Sequence, residues 1–292
     1  MSREDNVAVF EDTERLCKTN SKLAESIKVS NEQQQLILEG DILPQLDKKI
    51  YKESANIVVS KKRSYEAASG YKGQKVCVHN FASATNPGGG VTRGANAQEE
   101  CLCRCSSLYF CLNTPNMWDE FYIPHRNMRN SIHNDDIIYT PGVTVFKTDT
   151  ASPKLMPEED WYEVNVVTCA APNLRPYPGN AYNSGDGDKA IKITDEELLG
   201  LHEKRLRRIL DTAVLNKNNV VILGAFGCGA FMNNPEVVAR AAKNVISDYM
   251  HAFKTIEFAV YCSPWDEQNY RIFDRVLGIV RDTRKTRKDP VE

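Results

Sequence analysis

Residues 75–100 read KVCVHNFASATNPGGGVTRGANAQEE. A β-branched run, Lys75-Val76-Cys77-Val78, leads into a loop that ends in Gly88, Gly89 and Gly90, and Gln98-Glu99-Glu100 then opens a helix. Behind that turn Leu102, Cys105, Tyr109 and Leu112 fall on one face, which predicts a single core-packed helix over roughly 98–112. Strand, glycine-rich loop and helix in that order form the repeating unit of an α/β protein. The unit recurs downstream. Val220 to Leu223 is an apolar strand, Gly224-Ala225-Phe226-Gly227-Cys228-Gly229-Ala230-Phe231 is its loop, and Asn234-Pro235 is an N-cap with proline at the first helical position.

Further short apolar runs, Ile57–Val59, Val143–Phe146, Val164–Thr168 and Ile256–Tyr261, lack strict alternation, as strands covered on both faces do. Thr194-Asp195-Glu196-Glu197 is a capping box ahead of Leu198, Leu206, Ile209 and Leu210. With helices between strands, the layer order is α/β/α. Before Asn56 the chain is polar with spaced Leu16, Leu23, Ile27, Leu36 and Leu43, which suits one or two amphipathic helices. Residues 113–134 and 172–189 show no periodicity and read as long loops, either functional covers or mobile insertions. The tail from 281 to 292 holds Arg281, Arg284, Lys285, Arg287 and Lys288, a charged end of the kind that is usually solvated.

In 292 residues, 41% hydrophobic and 26% charged, the composition is that of a globular chain, which excludes disordered and collagen-like classes. Thirty-seven Lys and Arg against 39 Asp and Glu leave a formal charge of −2, so no global basic field gathers polyanions and no DNA-binding signature is read. A nucleotide-like ligand needs a local site. The longest apolar stretch, Val220–Phe231, is broken by three glycines, and MSREDNVAVF carries acids without an apolar core, so neither a membrane span nor a leader is expected. Nine cysteines, with Cys101, Cys103 and Cys105 crowded together, argue against a disulfide framework and for a reducing compartment, cytosol or nucleus.

Three consecutive glycines let backbone N–H groups approach a phosphate or ribose, and the helix N-terminus beyond them adds partial positive charge. Alone, the same glycines fit a plain turn. The second loop equally fits a tight turn with packed phenylalanines or a ligand wall. Neither loop is GxxxxGK[ST], and neither is GxGxxG with an acid about 20 residues on, which removes support for ATPase and simple dinucleotide readings. Glu99 and Glu100 could be simple complements to the helix dipole; their place one short loop after the glycines makes them candidates for acid and base chemistry. Asn80 and Asn86 carry amides suited to sugar hydroxyls or to capping turns. The spacing of Cys101 and Cys103 on a helix sends them to different sides, so core thiols are expected rather than a zinc site, and no metal or cofactor is called for. Cys228 lacks a neighbouring base in sequence and is weak as a nucleophile.

The series NFASATNPGGG, seven residues, QEE, then LGAFGCGAF and NP, resembles the bacterial-type poly(ADP-ribose) glycohydrolases, a macrodomain family, over roughly residues 55–262. That resemblance implies a macrodomain-like three-layer α/β/α fold with a mixed sheet and an N-terminal helical extension. It divides the chain into the extension (1–54), a catalytic domain (55–280) and the charged tail (281–292). It implies hydrolysis of ribose–ribose O-glycosidic bonds in poly(ADP-ribose), free or on ADP-ribosylated proteins, with ADP-ribose as product. Glu100 would be the general acid and base and Glu99 its partner, orienting the terminal ribose. Asn80, Asn86, Gly88, Gly89, Gly90, Gln98, Gly227, Cys228, Gly229, Ala230 and Phe231 would bind substrate, with Phe231 stacking near the ribose. Backbone donors of the two loops would replace the usual Lys or Arg clamp on the diphosphate. Rival readings are a hydrolase of mono-ADP-ribosyl linkages, a non-catalytic ADP-ribose reader, and a structural module whose glycines only turn the chain.

Overall fold

The computed structural model describes residues 1–180, 185–263 and 265–285. Its strands are β1 (Gln35–Ile37), β2 (Asn56–Ser60), β3 (Val76–Ala82), β4 (Ile137–Val145), β5 (Tyr162–Ala170), β6 (Val220–Leu223) and β7 (Thr255–Ala259). Its α-helices are α1 (Arg3–Thr19), α2 (Ser21–Gln33), α3 (Ser64–Ala68), α4 (Gln98–Cys105), α5 (Leu108–Leu112), α6 (Pro115–Met117), α7 (Ile123–Met128), α8 (Asp195–Leu215), α9 (Pro235–Ile246) and α10 (Gln268–Lys285). Among the described residues the strands form one sheet in the order β1-β4-β5-β3-β6-β7-β2. β5, β3, β6, β7 and β2 run parallel, and β4 pairs antiparallel with both β5 and β1. The fold is the expected mixed α/β sheet with helices on both faces.

Alternation along β3 explains why its run is apolar throughout. Cys77 faces a core built with Leu210, Val245 and Phe258 from the α8–α9–β7 side. Val76 and Val78 face a second core with Leu102, Leu108 and Tyr122 on the α4–α5 side. Because β3, β6, β7 and β2 are parallel, their carboxyl ends open at one edge of the sheet, where ligands of such sheets bind.

The capping box at Thr194 and the Asn234 N-cap start α8 and α9 as read from sequence. Three expectations change. The helix predicted over 98–112 is two helices, because at Ser106 the chain turns extended and bridges to Val145, with Ser107 N donating to Thr144 O at 3.0 Å. Residues 113–134, read as a loop, are largely helical. A π turn, Trp118–Tyr122, sits between α6 and α7 and breaks the 3.6-residue period, so that adjacent Phe121 and Tyr122 are both buried. Leu36, placed on a helix stripe, lies instead in β1, while Leu43 packs on the core from a segment without regular structure.

α1 begins with a Ser2–Asp5 capping box. Its buried stripe is Asn6, Phe10, Thr13 and Cys17, half of it polar. The polar members dock it: Thr13 Oγ1 donates to Arg104 O at 2.6 Å, and Asn6 Nδ2 to Gly94 O at 3.2 Å. This brings the first turn of α1 beside the loop between β3 and α4. No helix among the described residues is long and apolar enough to cross a membrane. Of the charged tail, residues 286–292 lie outside the described residues, as do 181–184 of the 172–189 segment.

Candidate active site

β5 pairs with β3 as far as Ala82, but β6 leaves it at Val78. The β3 backbone groups beyond that point need another partner on the β6 side, and Gln98 supplies it. Its Nε2 donates to His79 O at 2.8 Å, and its Oε1 accepts from Phe81 N at 2.9 Å. The amide therefore stands in for a strand and locks the first turn of α4 against β3.

The next two side chains of that turn, Glu99 and Glu100, are 3% and 7% exposed. Glu99 accepts from Ser83 N at 2.8 Å and from Asn80 Nδ2 at 3.2 Å. Glu100 accepts from Gly90 N at 2.9 Å and from Ala97 N at 3.0 Å. Burial, and then the neighbouring Glu100, push the Glu99 carboxyl up to about 8, against the pull of its Ser83, Asn80 and Gly88 hydrogen bonds. Gly89, at φ +57°, brings the loop onto both acids: a Cβ there would lie 2.6 Å from Glu100 Oε1 and 3.2 Å from Glu99 Oε2.

These acids line a cleft of about 810 Å³. Gly89, Gln98, Glu99 and Glu100 stand on one wall, and Gly227, Gly229, Ala230 and Phe231 on another. Five residues expected to bind substrate are not part of that lining. Asn80 is fully buried and donates to Glu99 and to Thr168 Oγ1, so it holds a carboxylate in place. Asn86 is engaged by Arg126 from α7, which also donates to Thr85 O at 2.7 Å and lies over Trp118. Gly88 packs toward Tyr109, and the Gly90 amide serves Glu100. Cys228 has its Sγ 3.7 Å from Phe226 O, and burial pushes that thiol up, away from nucleophilic use. Phe226 itself is core, edge-on to His79 and His202.

Backbone donors do not stand alone in the cleft in place of a Lys or Arg clamp, contrary to the expectation from sequence. Arg3 and Asn6 of α1, Arg63 after β2, and Arg175 after β5 also line it. Arg63 lies 4.1 Å over the Tyr261 ring, and Arg175 5.7 Å from the Phe231 ring. Three guanidinium groups thus stand in the cleft beside the carboxyls of Glu99, Glu100 and Asp149, a local grouping of charge that the net value of −2 does not reveal. Arg63 was findable, since Lys61-Lys62-Arg63 follows a parallel strand at its carboxyl end. Arg175 lies in the 172–189 segment, which has no periodicity to place it, and nothing local to α1 points to Arg3.

The nine cysteines are unbridged, and burial pushes Cys101, Cys103, Cys105 and Cys111 upward. Among the described residues no group of three or more His, Cys, Asp or Glu is arranged to hold a metal ion.

The family described as microbial-type PARG, catalytic domain, matches residues 4–148, a span that runs from α1 through both acids and into the segment after β4. The chain belongs to this family. Among solved structures, the PARG of Thermomonospora curvata is 27% identical, with a TM-score of 0.77, covering 94% of this chain and 99% of that one. The same protein bound to the inhibitor ADP-HPD is 28% identical, with a TM-score of 0.76 over 93% and 99%. A PARG from Deinococcus radiodurans, solved in complex with ADP-ribose, is 28% identical with a TM-score of 0.72, covering 87% of this chain and 98% of that one. No curated protein sequence matches the chain. The N-terminal helices thus fall inside the PARG match and are part of what this family shares.

Proposed function

We propose that this chain hydrolyses the ribose–ribose O-glycosidic bonds of poly(ADP-ribose) and releases ADP-ribose, with Glu100 as general acid and base. The observation that carries the reading is the convergence of two buried carboxyls over Gly89, in a cleft whose other wall is the second glycine loop. The diphosphate lies between the loops, drawn by the amides of the second loop and by the arginines, since the glycine amides of the first loop already serve Glu99, Asn86 O and Glu100. Glu100 gives a proton to the leaving ribose oxygen as the glycosidic bond breaks. It then takes one from the water that adds to the oxocarbenium-like carbon. Glu99 keeps a proton in the pair at neutral pH and orients the terminal ribose, and Phe231 covers the sugar. With nine unbridged cysteines, a reducing compartment, cytosol or nucleus, suits the chain.

Two pH effects follow from Glu99. Its folded value, about 8, lies above the ordinary 4.5, so between those values the folded chain holds a proton that the unfolded chain has lost. The stability this group contributes is therefore complete below about 4.5 and lost as pH rises through about 8. Thermal melts should show Tm falling across that window, and Glu99→Gln should flatten the fall. Turnover should also decline as pH rises through about 8, because Glu99 then ionises, places a second charge beside the reacting centre and loses the proton with which it orients the terminal ribose. A kcat that keeps rising to higher pH contradicts this.

The deciding assay offers purified protein poly(ADP-ribose) and, separately, mono-ADP-ribosylated protein. Release of ADP-ribose from the polymer supports the proposal. Binding without release would leave a reader, and release from the mono-modified protein alone would indicate a different linkage.

A further inference from the structure

The second glycine loop is tied down by one side chain that no ligand would touch. Asn233 is 2% exposed, and its Nδ2 donates to Pro172 O at 2.7 Å, Gly227 O at 3.1 Å and Phe231 O at 3.2 Å. Its backbone N–H also donates to Gly227 O, at 3.0 Å. Gly227 is at φ +75°, and a Cβ on it would lie 2.7 Å from Asn233 Nδ2, so the amide fills the space beneath the loop. Three carbonyls on one side fix which way the amide faces. Its Oδ1 must point away from them, and there it meets His202 Nε2 of α8 at 2.8 Å.

That contact is a hydrogen bond only if His202 carries its hydrogen on Nε2. Burial pushes His202 down to about 4, with the Asn233 hydrogen bond opposing, so the ring is neutral and this tautomer is the one the site selects. The same ring stands edge-on to Phe226, 5.5 Å away, at the other end of the loop. One helix side chain thus braces the loop at both ends.

We infer that His202 is a positioning residue for diphosphate binding: by holding the Asn233 amide in one orientation, it keeps the 227–231 backbone in the conformation that forms the second wall of the cleft. The assignment rests on the reading of that wall as the diphosphate site.

The test compares wild type, His202→Leu and His202→Gln by calorimetric titration with ADP-ribose and by kinetics on poly(ADP-ribose). Leu removes the donor, while Gln offers an N–H at about the same reach. Loss of one buried hydrogen bond should raise Kd and KM of the Leu variant roughly tenfold. Its kcat should stay within about twofold, since the acids are untouched, and Gln should recover most of the affinity. Should the Leu variant not fold, His202→Asn, whose amide is too short to reach, takes its place. Unchanged Kd and KM in the variant lacking the donor, whatever its Tm, overturn the assignment, and so does an equal loss in the Gln variant. If wild type itself binds no ADP-ribose, the reading of the cleft falls first and the role of His202 falls with it.

Discussion

Glu100→Gln is expected to slow release of ADP-ribose from polymer by roughly 10²–10⁴-fold, the range that a positioned acid and base supplies, while ADP-ribose binding persists. The substitution keeps the shape of the side chain and removes its ability to give and take a proton. It also has a local cost. Gly90 N and Ala97 N each donate to one oxygen of Glu100. A glutamine offers a single acceptor, so one amide loses its partner at about 1–3 kcal/mol. Melting curves should therefore be recorded beside the rates, so that lost catalysis is not confused with lost fold. A folded variant that still degrades polymer at the wild-type rate removes Glu100 from the reaction.

Gly89→Ala should be nearly as damaging although it changes no functional group. At φ +57° an alanine is strained, and its methyl would stand 2.6 Å from Glu100 Oε1. Either the loop or the carboxyl must move. A misplacement of about 1 Å is enough to lower turnover by roughly 10²-fold. Gly200→Ala, on α8 where a Cβ would meet nothing within 4 Å, is the matched control. It should leave turnover alone and stabilise the helix by about 1 kcal/mol. Equal rates in the two variants would mean that the approach of the loop to the acids is not what catalysis needs.

Much of this site was legible because it is local. The glycines, the acids and the strand between them lie within residues 75–100, and sequence spacing fixes their order on one wall. The second loop was legible for the same reason. Tertiary packing concealed the rest. Arg3 reaches the cleft because Thr13 and Asn6 dock α1, and neither residue looks like part of a buried stripe. Asn80 reads as a sugar ligand until β3 extends to Ala82 and turns its amide inward to Glu99. The helix over 98–112 was plausible by period, yet pairing with β4 at Val145 breaks it. β1 is only three residues long and has no pattern of its own; it exists because β4 offers an open edge.

The place of β3 in the sheet also bears on how the molecule is made. Both of its neighbours come late: β5 and β6 lie far downstream in the chain, and β6 follows the whole of α8. On a ribosome, which works from the amino end, the strand that carries the first glycine loop emerges with both edges bare; Tyr162–Ala170 can cover one of them, but the other stays open until Val220–Leu223 has cleared the exit tunnel. Such a nascent segment, apolar on both faces, is open to wrong pairing meanwhile. Slow synthesis or scarce chaperones should therefore lower the yield of active molecules well before they alter the stability of those already folded.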